Sequence, residues 1–240
     1  ELAMTTNGSQ LQRLAPALYE AGVKRLNISL DSLNPRKFRH LTRHGTLDQV
    51  VAGIDAAVEA GFAGLKINAV ILKGRNDDEV PALVDFARQR GIDIAFIEEM
   101  PLGRISEHDR ALSFCSSEEL RRLLAPHYAL RPLGEPSGTA GPARYYGMPD
   151  SPTRGGFISP HSENFCHLCN RVRVTVDGRL LLCLGNEHSA DLRQLLRAPN
   201  YHPERLRQAL IEAMDLKPEK HHFDNHGEPQ ILRFMNTTGG

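Results

Sequence analysis

Three of the four cysteines are spaced in a way that is typical of a metal centre. Cys166 and Cys169 are separated by two residues and Cys183 follows after thirteen more, which gives C-x2-C-x13-C. Thiolates at such spacing bind zinc or an iron–sulfur cluster. Zinc in a structural site requires a fourth ligand, and three histidines could provide it: His161, His167 and His188. An iron–sulfur cluster is normally held by four cysteines, so three would leave one iron open to another molecule. The spacing alone leaves both metals open.

Two arginines follow these cysteines directly. Arg171 and Arg173 are two residues apart in a predicted strand, so their side chains point to one face. The guanidinium fork suits phosphate oxygens, which makes the pair a candidate anion site; the alternative is a solvated strand face. Asp177-Gly178 predicts a two-residue hairpin turn, and that register would place Cys183 opposite Val172 and away from both arginines. Either a bulge intervenes or the strands have separated by that point.

The first half of the chain alternates predicted strands with predicted helices, a pattern that favours βαβ units and a parallel sheet. Strands are predicted at residues 26–30, 65–72 and 92–97, and helices at 9–21, from 35, from 47 and at 77–90. The expected helix starts are Ser9, Asn34, Thr46 and Asp77 or Asp78, and the expected stops are Gly22, Gly61 and Gly91. Functional groups in such folds lie beyond the carboxyl ends of the strands, where polar segments occur at 5–8, 29–32, 73–76 and 98–101.

The pattern changes after Pro101. Residues 131–154 are rich in Gly and Pro, the cysteine-bearing hairpin follows, and helices are predicted at 191–197 and 203–214. We therefore predict two domains, at residues 1–101 and 102–240. Cys115 lies apart from the other cysteines and is expected to be a semi-buried structural thiol.

Composition narrows the function classes. The 29 Lys and Arg balance the 29 Asp and Glu, and the pI is about 7.4, which argues against a strongly basic nucleic-acid-binding protein. No apolar run is long enough to span a membrane, and no signal-peptide pattern opens the chain. We expect a cytoplasmic protein without nucleic-acid or membrane partners, and a homodimer is left open.

Several motifs resemble one family. The chain contains, in order, TTNG at 5–8, LNISLD at 26–31, KIN at 66–68, FIEEMP at 96–101, GPARYY at 141–146, FCHLCNRVR at 165–173, LCL at 182–184 and a Gly-Gly end. Together these resemble the GTP 3',8-cyclases, radical S-adenosylmethionine (SAM) lyases of molybdenum cofactor biosynthesis. The family converts GTP to (8S)-3',8-cyclo-7,8-dihydroguanosine 5'-triphosphate.

The resemblance implies an α/β fold with an incomplete (β/α) radical SAM barrel, that is, a partial TIM barrel. A C-terminal region with an antiparallel hairpin and a second [4Fe–4S] cluster follows it. The cluster ligands would be Cys166, Cys169 and Cys183, and GTP would bind the open iron. The implied GTP contacts are Thr5, Lys66, Arg171, Val172 and Arg173, and the implied SAM contacts are Ser29 and Met100. The Gly239-Gly240 end would reach the active site.

Two features of the family are missing from this sequence. The C-x3-C-x2-C motif of the first [4Fe–4S] cluster does not occur, nor does a Gly-Gly-Glu-Pro-like stretch. We therefore expect a family member without its first βα units, which binds GTP but does not cleave SAM by itself. The first cluster would belong to the full-length enzyme only. The alternatives are a non-enzymatic module built on a zinc site and an inactive fragment of the cyclase.

Overall fold

The computed structural model describes residues 1–105, 107–134, 141–221, 223, 231–233 and 235–238. The helices are α1 (Leu11–Glu20), α2 (Pro35–Thr42), α3 (Leu47–Glu59), α4 (Val80–Gln89), α5 (Arg110–Ser113), α6 (Ser117–Leu124), α7 (Leu192–Leu196) and α8 (Pro203–Asp215). The strands are β1 (Ala3–Thr6), β2 (Arg25–Ser29), β3 (Gly64–Val70), β4 (Asp93–Ile97), β5 (Arg131–Pro132), β6 (Arg144–Met148), β7 (Ser151–Ile158), β8 (Arg173–Val174), β9 (Arg179–Leu181) and β10 (Ser189–Asp191). Across these described ranges, we find no helix with the length and apolar character needed to cross a membrane.

A seven-stranded sheet confirms the predicted parallel α/β arrangement. Its strand order is β1-β2-β3-β4-β7-β6-β5. Strands β1 to β4 and β7 run parallel, whereas β6 and β5 are antiparallel additions. The parallel strands are connected by helices because a parallel partner can only be reached through a crossover.

Most helix ends follow the predicted signals. The Asn34 side chain accepts hydrogen bonds from the Arg36 and Lys37 N–H groups and caps α2. The three predicted stop glycines have φ of +88°, +83° and +63°, a region that other residues adopt with strain: Gly22, Gly61 and Gly91.

Two predicted helix caps are wrong. Gln10, not Ser9, occupies the N-cap of α1, because the Ser9 hydroxyl donates to Asn7 Oδ1 at 2.8 Å. A 3-10 turn at Asp77–Glu79 precedes α4, whose N-cap is Glu79. Asp77 cannot cap α4 because its carboxylate accepts the Gly74 N–H at 2.7 Å. Asp78 is paired with Lys37.

The core lies on the helix-covered face of the sheet. Leu26, Ile28 and Ile67 are fully buried in one apolar cluster with Leu11 of α1 and Ile54 of α3. Because side chains alternate along a strand, the residues between these apolar ones lie on the opposite face. That opposite face carries the polar side chains of β1 to β3.

The described chain divides into two compact units. The first contains residues 1–99 and 112–163, and the second contains residues 100–111 and 164–240. In the second unit β10, β9 and β8 form an antiparallel sheet, and Leu180, Leu182 and Ala213 form its small core. The predicted domain division at residue 101 remains a prediction.

The hairpin in the second unit has a three-residue loop, so the predicted two-residue turn is wrong. Thr175 pairs with Arg179 because the Thr175 N–H donates to the Arg179 carbonyl at 2.9 Å. The Thr175 hydroxyl also accepts the Arg179 N–H at 3.1 Å. Gly178 closes the turn with φ of +81° and donates its N–H to the Thr175 carbonyl. A turn followed by a left-handed glycine is the common three-residue hairpin connection.

This loop shifts the hairpin register by one residue from the predicted register. Arg173 pairs with Leu181 and Val174 with Leu180. The observed pairs end at Arg173 and Leu181, so neither Arg171 nor Cys183 belongs to the ladder. The predicted register, which would have placed Cys183 opposite Val172, therefore does not apply to these residues.

Candidate functional site

In the first unit, a polar row crosses the open face of the sheet. The strand register aligns Thr5 with Asn27, and Asn27 with Lys66. The Asn27 Nδ2 lies 3.4 Å from Thr5 Oγ1, so these two side chains share one face. Thr5 and Lys66, predicted from separate motifs, are thus brought to the same face by the parallel pairing.

Lys66 lies in a partly buried polar environment. Its Nζ is 3.5 Å from the Tyr145 hydroxyl. The Arg154 guanidinium lies over the Tyr145 ring at 4.8 Å and pairs with Asp93. Burial lowers the pKa of Lys66 below its ordinary value, Asp93 opposes this, and the charges of Arg25 and Arg154 add to the lowering. The charged form of Lys66 is therefore less stable here than in water, and a bound anion would stabilise it.

Ser29 lies one row further toward the carboxyl ends of the strands, paired with Asn68. The buried Oδ1 of Asn68 has no hydrogen-bond partner among the described residues. Nearby, Asp31 accepts the Val70 N–H at 2.8 Å. Burial raises the pKa of Asp31 to about 6, although the Val70 hydrogen bond opposes it. These groups can donate hydrogen bonds to a polar ligand and accept hydrogen bonds from it.

Glu98 organises the loops at the end of β4. It is fully buried, and its carboxylate accepts the N–H groups of Ser117 at 2.9 Å, His161 at 3.0 Å and Ser162 at 3.1 Å. The Ser162 hydroxyl donates to it as well. A buried carboxylate needs this many donors to offset its desolvation. Glu98 thus fixes the start of α6 and the segment after β7.

In the second unit, the first two cysteines lie on a single tight turn. Residues Cys166–Leu168 form a 3-10 turn in which the Cys169 N–H donates to the Cys166 carbonyl at 2.9 Å. The Asn164 side chain accepts the Cys166 N–H at 2.8 Å. All three predicted ligand cysteines are free and half-buried, and Cys115 is buried in the first unit.

Positive charge surrounds the cysteines. Arg171 Nη2 lies 3.7 Å from Cys169 Sγ. Burial by itself raises the pKa of Cys169, but hydrogen bonds from Arg171 and the charges of Arg171 and Lys217 outweigh it and hold the pKa below its ordinary value. Burial raises the pKa of Cys183, with opposition from the Gly185 N–H and Lys217. A low thiol pKa favours the thiolate that metals bind.

The two predicted arginines lie on the sheltered face of the hairpin. Arg171 and Arg173 are half-buried, whereas the alternate residues Val172 and Val174 are 41% and 59% exposed. Burial lowers the pKa of Arg173, the charge of Arg171 adds to this, and Cys169 and Cys183 oppose it. A simple solvated face would expose the arginines and shelter the valines. The observed arrangement is the reverse.

The remaining predicted residues are Met100 and the terminal glycines. Met100 belongs to the second unit, where its carbonyl accepts the Leu102 N–H at 2.7 Å. The terminal Gly239-Gly240 lies outside the described residues. Within the described ranges, no group of three or more His, Cys, Asp and Glu side chains is close enough to hold one metal ion.

The donor set nevertheless suits an iron–sulfur cluster. Soft thiolates are the usual ligands of such clusters, and in a cubane each cysteine binds a separate iron. The three sulfurs therefore need not surround one ion. Burial raises the pKa of Cys183, and the charges of Cys166 and Cys169 add to this.

Several residues around these sites escaped the sequence analysis. Tyr145 stands 79 positions from Lys66, and Lys217 stands 46 positions from Arg171. Arg233 donates to three carbonyls of the segment after Cys183. No local pattern marks such contacts, because each depends on the folded chain. Among these residues, Tyr145 alone lies in a motif that was noted in the sequence, the GPARYY stretch.

Comparison with known proteins identifies the chain. Residues 1–87 match the Radical SAM superfamily, and residues 92–223 match the family described as Molybdenum Cofactor Synthesis C. A solved radical SAM methyltransferase from Sphaerobacter thermophilus is 18% identical and covers 51% of this chain and 36% of its own, with a TM-score of 0.42, too low to carry an argument.

Curated relatives match over the whole chain. GTP 3',8-cyclase of Marinobacter nauticus is 64% identical, that of Pseudomonas entomophila is 63% identical, and GTP 3',8-cyclase 1 of Pseudomonas aeruginosa is 61% identical. Each match covers 100% of this chain and 72% of the relative. The chain therefore belongs to the GTP 3',8-cyclases, radical SAM enzymes of molybdenum cofactor biosynthesis.

Proposed function

We propose that this chain supplies the GTP site, the second-cluster site and part of the SAM site of a GTP 3',8-cyclase. The observation that carries the proposal is the pair of half-buried arginines beside the cysteines, where Arg171 Nη2 lies 3.7 Å from Cys169 Sγ. The C-x3-C-x2-C motif needed for SAM cleavage does not occur among these 240 residues. The proposal for this chain therefore concerns binding, and cleavage of SAM belongs to the full-length family members.

In the second unit, Cys166, Cys169 and Cys183 would hold a [4Fe–4S] cluster. Such a cluster offers an open iron to a nitrogen or oxygen ligand of the nucleotide. The residues of this chain bind and orient that nucleotide. Arg171 and Arg173 place two guanidinium groups beside the cysteines, and Val172 lies between these two residues in the backbone. Half-burial of the arginines strengthens their attraction for an anion.

In the first unit, Thr5 and Lys66 would contact GTP and Ser29 would contact SAM. The shared open face of the sheet supports this, because Thr5, Ser29 and Lys66 all project from it. The unpaired oxygen of Asn68 beside Ser29 supports a polar ligand there. Met100 is proposed as a further SAM contact on the family resemblance alone.

The metal is tested by anaerobic reconstitution of the chain with iron and sulfide. We expect about four iron and four sulfide per chain, and loss of both when Cys166, Cys169 and Cys183 are replaced by Ala. The Cys115→Ala variant is the matched control and should keep its iron, because Cys115 is buried in the other unit. Stoichiometric zinc without sulfide would instead support a zinc site.

Nucleotide binding is tested on the reconstituted chain by equilibrium dialysis with GTP. Each charged hydrogen bond to phosphate contributes about 1.5–3 kcal/mol. Arg171→Ala and Arg173→Ala should therefore each raise the Kd roughly 10- to 150-fold without changing the iron content. Arg207→Ala is the control, since that side chain is 69% exposed. An unchanged Kd in both hairpin variants would remove these arginines from the site.

The first unit is tested in the same way. Lys66→Met should raise the Kd for GTP, and Lys24→Met, at an exposed lysine beside β2, should not. Ser29→Ala should weaken binding of SAM and leave GTP binding intact. Equal effects of the two lysine variants would contradict a specific role for Lys66.

A further inference from the structure

The two cysteine-bearing segments of the second unit leave the hairpin at its open end. The described ladder between β8 and β9 ends at the pair Arg173–Leu181. Cys169 precedes that end on one side, and Cys183 follows it on the other. The distance between these segments therefore depends on contacts other than the ladder.

Lys217 makes such a contact. Its Nζ donates to the Arg171 carbonyl at 3.0 Å and to the Leu182 carbonyl at 2.6 Å. These carbonyls belong to the residue two positions after Cys169 and the residue just before Cys183. The Lys217 ammonium thus bridges the two cysteine-bearing segments at the point where backbone pairing between β8 and β9 stops.

The position of Lys217 is determined by helix α8. The Lys217 N–H donates to the Met214 carbonyl, so the residue continues directly from the end of α8. Ala213 of α8 is buried against Leu180 and Leu182 of the hairpin. Because this small core fixes the helix against the hairpin, the side chain that leaves the helix end is directed to the open end.

The chemistry of lysine suits both a bridge and a charge. The ammonium has three donors on a long apolar stem, so it can bind two carbonyls while its stem packs against the protein. It is half-buried, and a half-buried cation acts on nearby negative charge more strongly than an exposed one. Three thiolates and their cluster would supply that negative charge.

We propose that Lys217 is a positioning residue for the cluster, which holds the Cys169 and Cys183 segments at a fixed separation and offsets the charge of the thiolates. This inference rests on the proposed second-cluster site. Lys217 touches neither the nucleotide nor the cluster in this role and acts through two backbone carbonyls and through its charge.

The experiment compares four variants of the whole chain after anaerobic reconstitution. Lys217→Met removes both donors and the charge. Lys217→Gln keeps a neutral donor, and Lys217→Arg keeps donors and charge. Lys220→Met is the matched control, because Lys220 is exposed three residues further on. Iron and sulfide per chain, the electron paramagnetic resonance spectrum and the midpoint potential are measured for each.

We expect Lys217→Met to retain less than half of the wild-type iron, whereas Lys217→Arg and Lys220→Met retain nearly all of it. Lys217→Gln should load more iron than Lys217→Met but show a more negative midpoint potential than wild type, because a positive charge beside the cluster is lost. If Lys217→Met does not fold, as judged by circular dichroism, the Gln and Arg variants still decide the question.

Two results would overturn the inference, and they are distinguishable. Equal iron content, equal spectra and equal potentials in wild type and all Lys217 variants would overturn the role of Lys217 alone. A wild-type chain that takes up no iron would overturn the proposed second-cluster site, and the role of Lys217 with it.

Discussion

Gly178 lies in the loop that sets the register of the hairpin, so its replacement tests that register directly. Gly178 has φ of +81° and closes the three-residue loop. Its carbonyl accepts the N–H groups of Leu192 and Arg193 at the start of α7, both at 3.1 Å. We predict that Gly178→Ala destabilises the hairpin and lowers iron retention by the reconstituted chain.

The magnitude follows from two separate effects. A left-handed backbone costs a residue with a Cβ about 1–2 kcal/mol. A Cβ at this position would also lie 2.8 Å from Arg193 Cβ, too close for both atoms to remain in place. Such overpacking costs about 1–3 kcal/mol. The hairpin should therefore lose about 2–5 kcal/mol in total.

Hydrogen–deuterium exchange of the hairpin amides measures this loss. In the usual regime, exchange through local opening accelerates tenfold for each 1.4 kcal/mol, so peptides from residues 171–184 should exchange roughly 30-fold to several thousand-fold faster. Gly61→Ala is the matched control: its φ is +83°, and nothing lies within 4 Å of the added Cβ. That variant should show the backbone effect only, and only in the first unit.

Hairpin exchange in Gly178→Ala that stays within threefold of wild type would contradict this prediction. The prediction would also be refuted if Gly178→Ala and Gly61→Ala lost equal stability, since the contact with Arg193 would then contribute nothing. Faster exchange with unchanged iron content would separate the hairpin register from cluster binding.

Three further predictions concern buried charges. Glu98→Gln turns one acceptor oxygen into a donor that faces the Ser117 N–H, and we expect a loss of about 2–4 kcal/mol and a fall in Tm of roughly 5–15 °C, measured by tyrosine fluorescence. Asp31→Asn should stabilise the chain at pH 7.5 by an amount on the order of 2–3 kcal/mol, measured by thermal melts across pH. Arg233→Leu removes the donors to three carbonyls after Cys183, and amide exchange should accelerate over residues 183–187.

The raised pKa of Asp31 explains why Asp31→Asn should stabilise the chain above pH 6. The folded chain holds the proton up to a pH of about 6, whereas the unfolded chain releases it near 3.8. The wild type therefore loses stability as the pH rises between these values, and the Asn variant does not. The advantage of the variant should be complete above pH 6 and absent below pH 4. An advantage that did not change with pH would contradict burial as its cause.

The other two predictions have their own controls. Glu118→Gln, at a carboxylate that is 63% exposed, should leave Tm within about 1 °C of wild type. Equal falls in Tm for the Glu98 and Glu118 variants would contradict the network. Arg207→Leu, at an exposed arginine of α8, should leave exchange over 183–187 unchanged. Acceleration in both arginine variants would show a general rather than a local effect.

Local patterns were sufficient for much of the first unit. The alternation in LNIS and LKINAV predicted strands with one apolar face, and the structure buries Leu26, Ile28 and Ile67 there. Asn34 caps the helix that begins at Pro35, as predicted. These features depend on residues within one helical turn or on alternate positions of one strand, and sequence spacing records both.

Local patterns gave wrong predictions where the sequence allowed two different turns or two different helix caps. Asp177-Gly178 is a strong signal for a two-residue turn, yet Thr175 pairs with Arg179 and makes the loop longer by one residue. The Ser9 hydroxyl is used by Asn7, so Gln10 begins α1. In each case a hydrogen bond between near neighbours, small in energy, decided between arrangements that the sequence allows equally.

The sequence by itself determined the α/β layering, the family and the three cysteines with their neighbouring arginines, because spacing and residue type carry that information. Only the tertiary structure decided that the Arg171 side chain contacts Cys169, that Tyr145 and Arg154 lie near Lys66, and that Lys217 bridges the open end of the hairpin. Those contacts join residues far apart in the chain. They exist because burial of the small core brings helix α8 to the hairpin and because the sheet register aligns one strand with the next. Neither arrangement can be predicted from residues that are close together in the sequence.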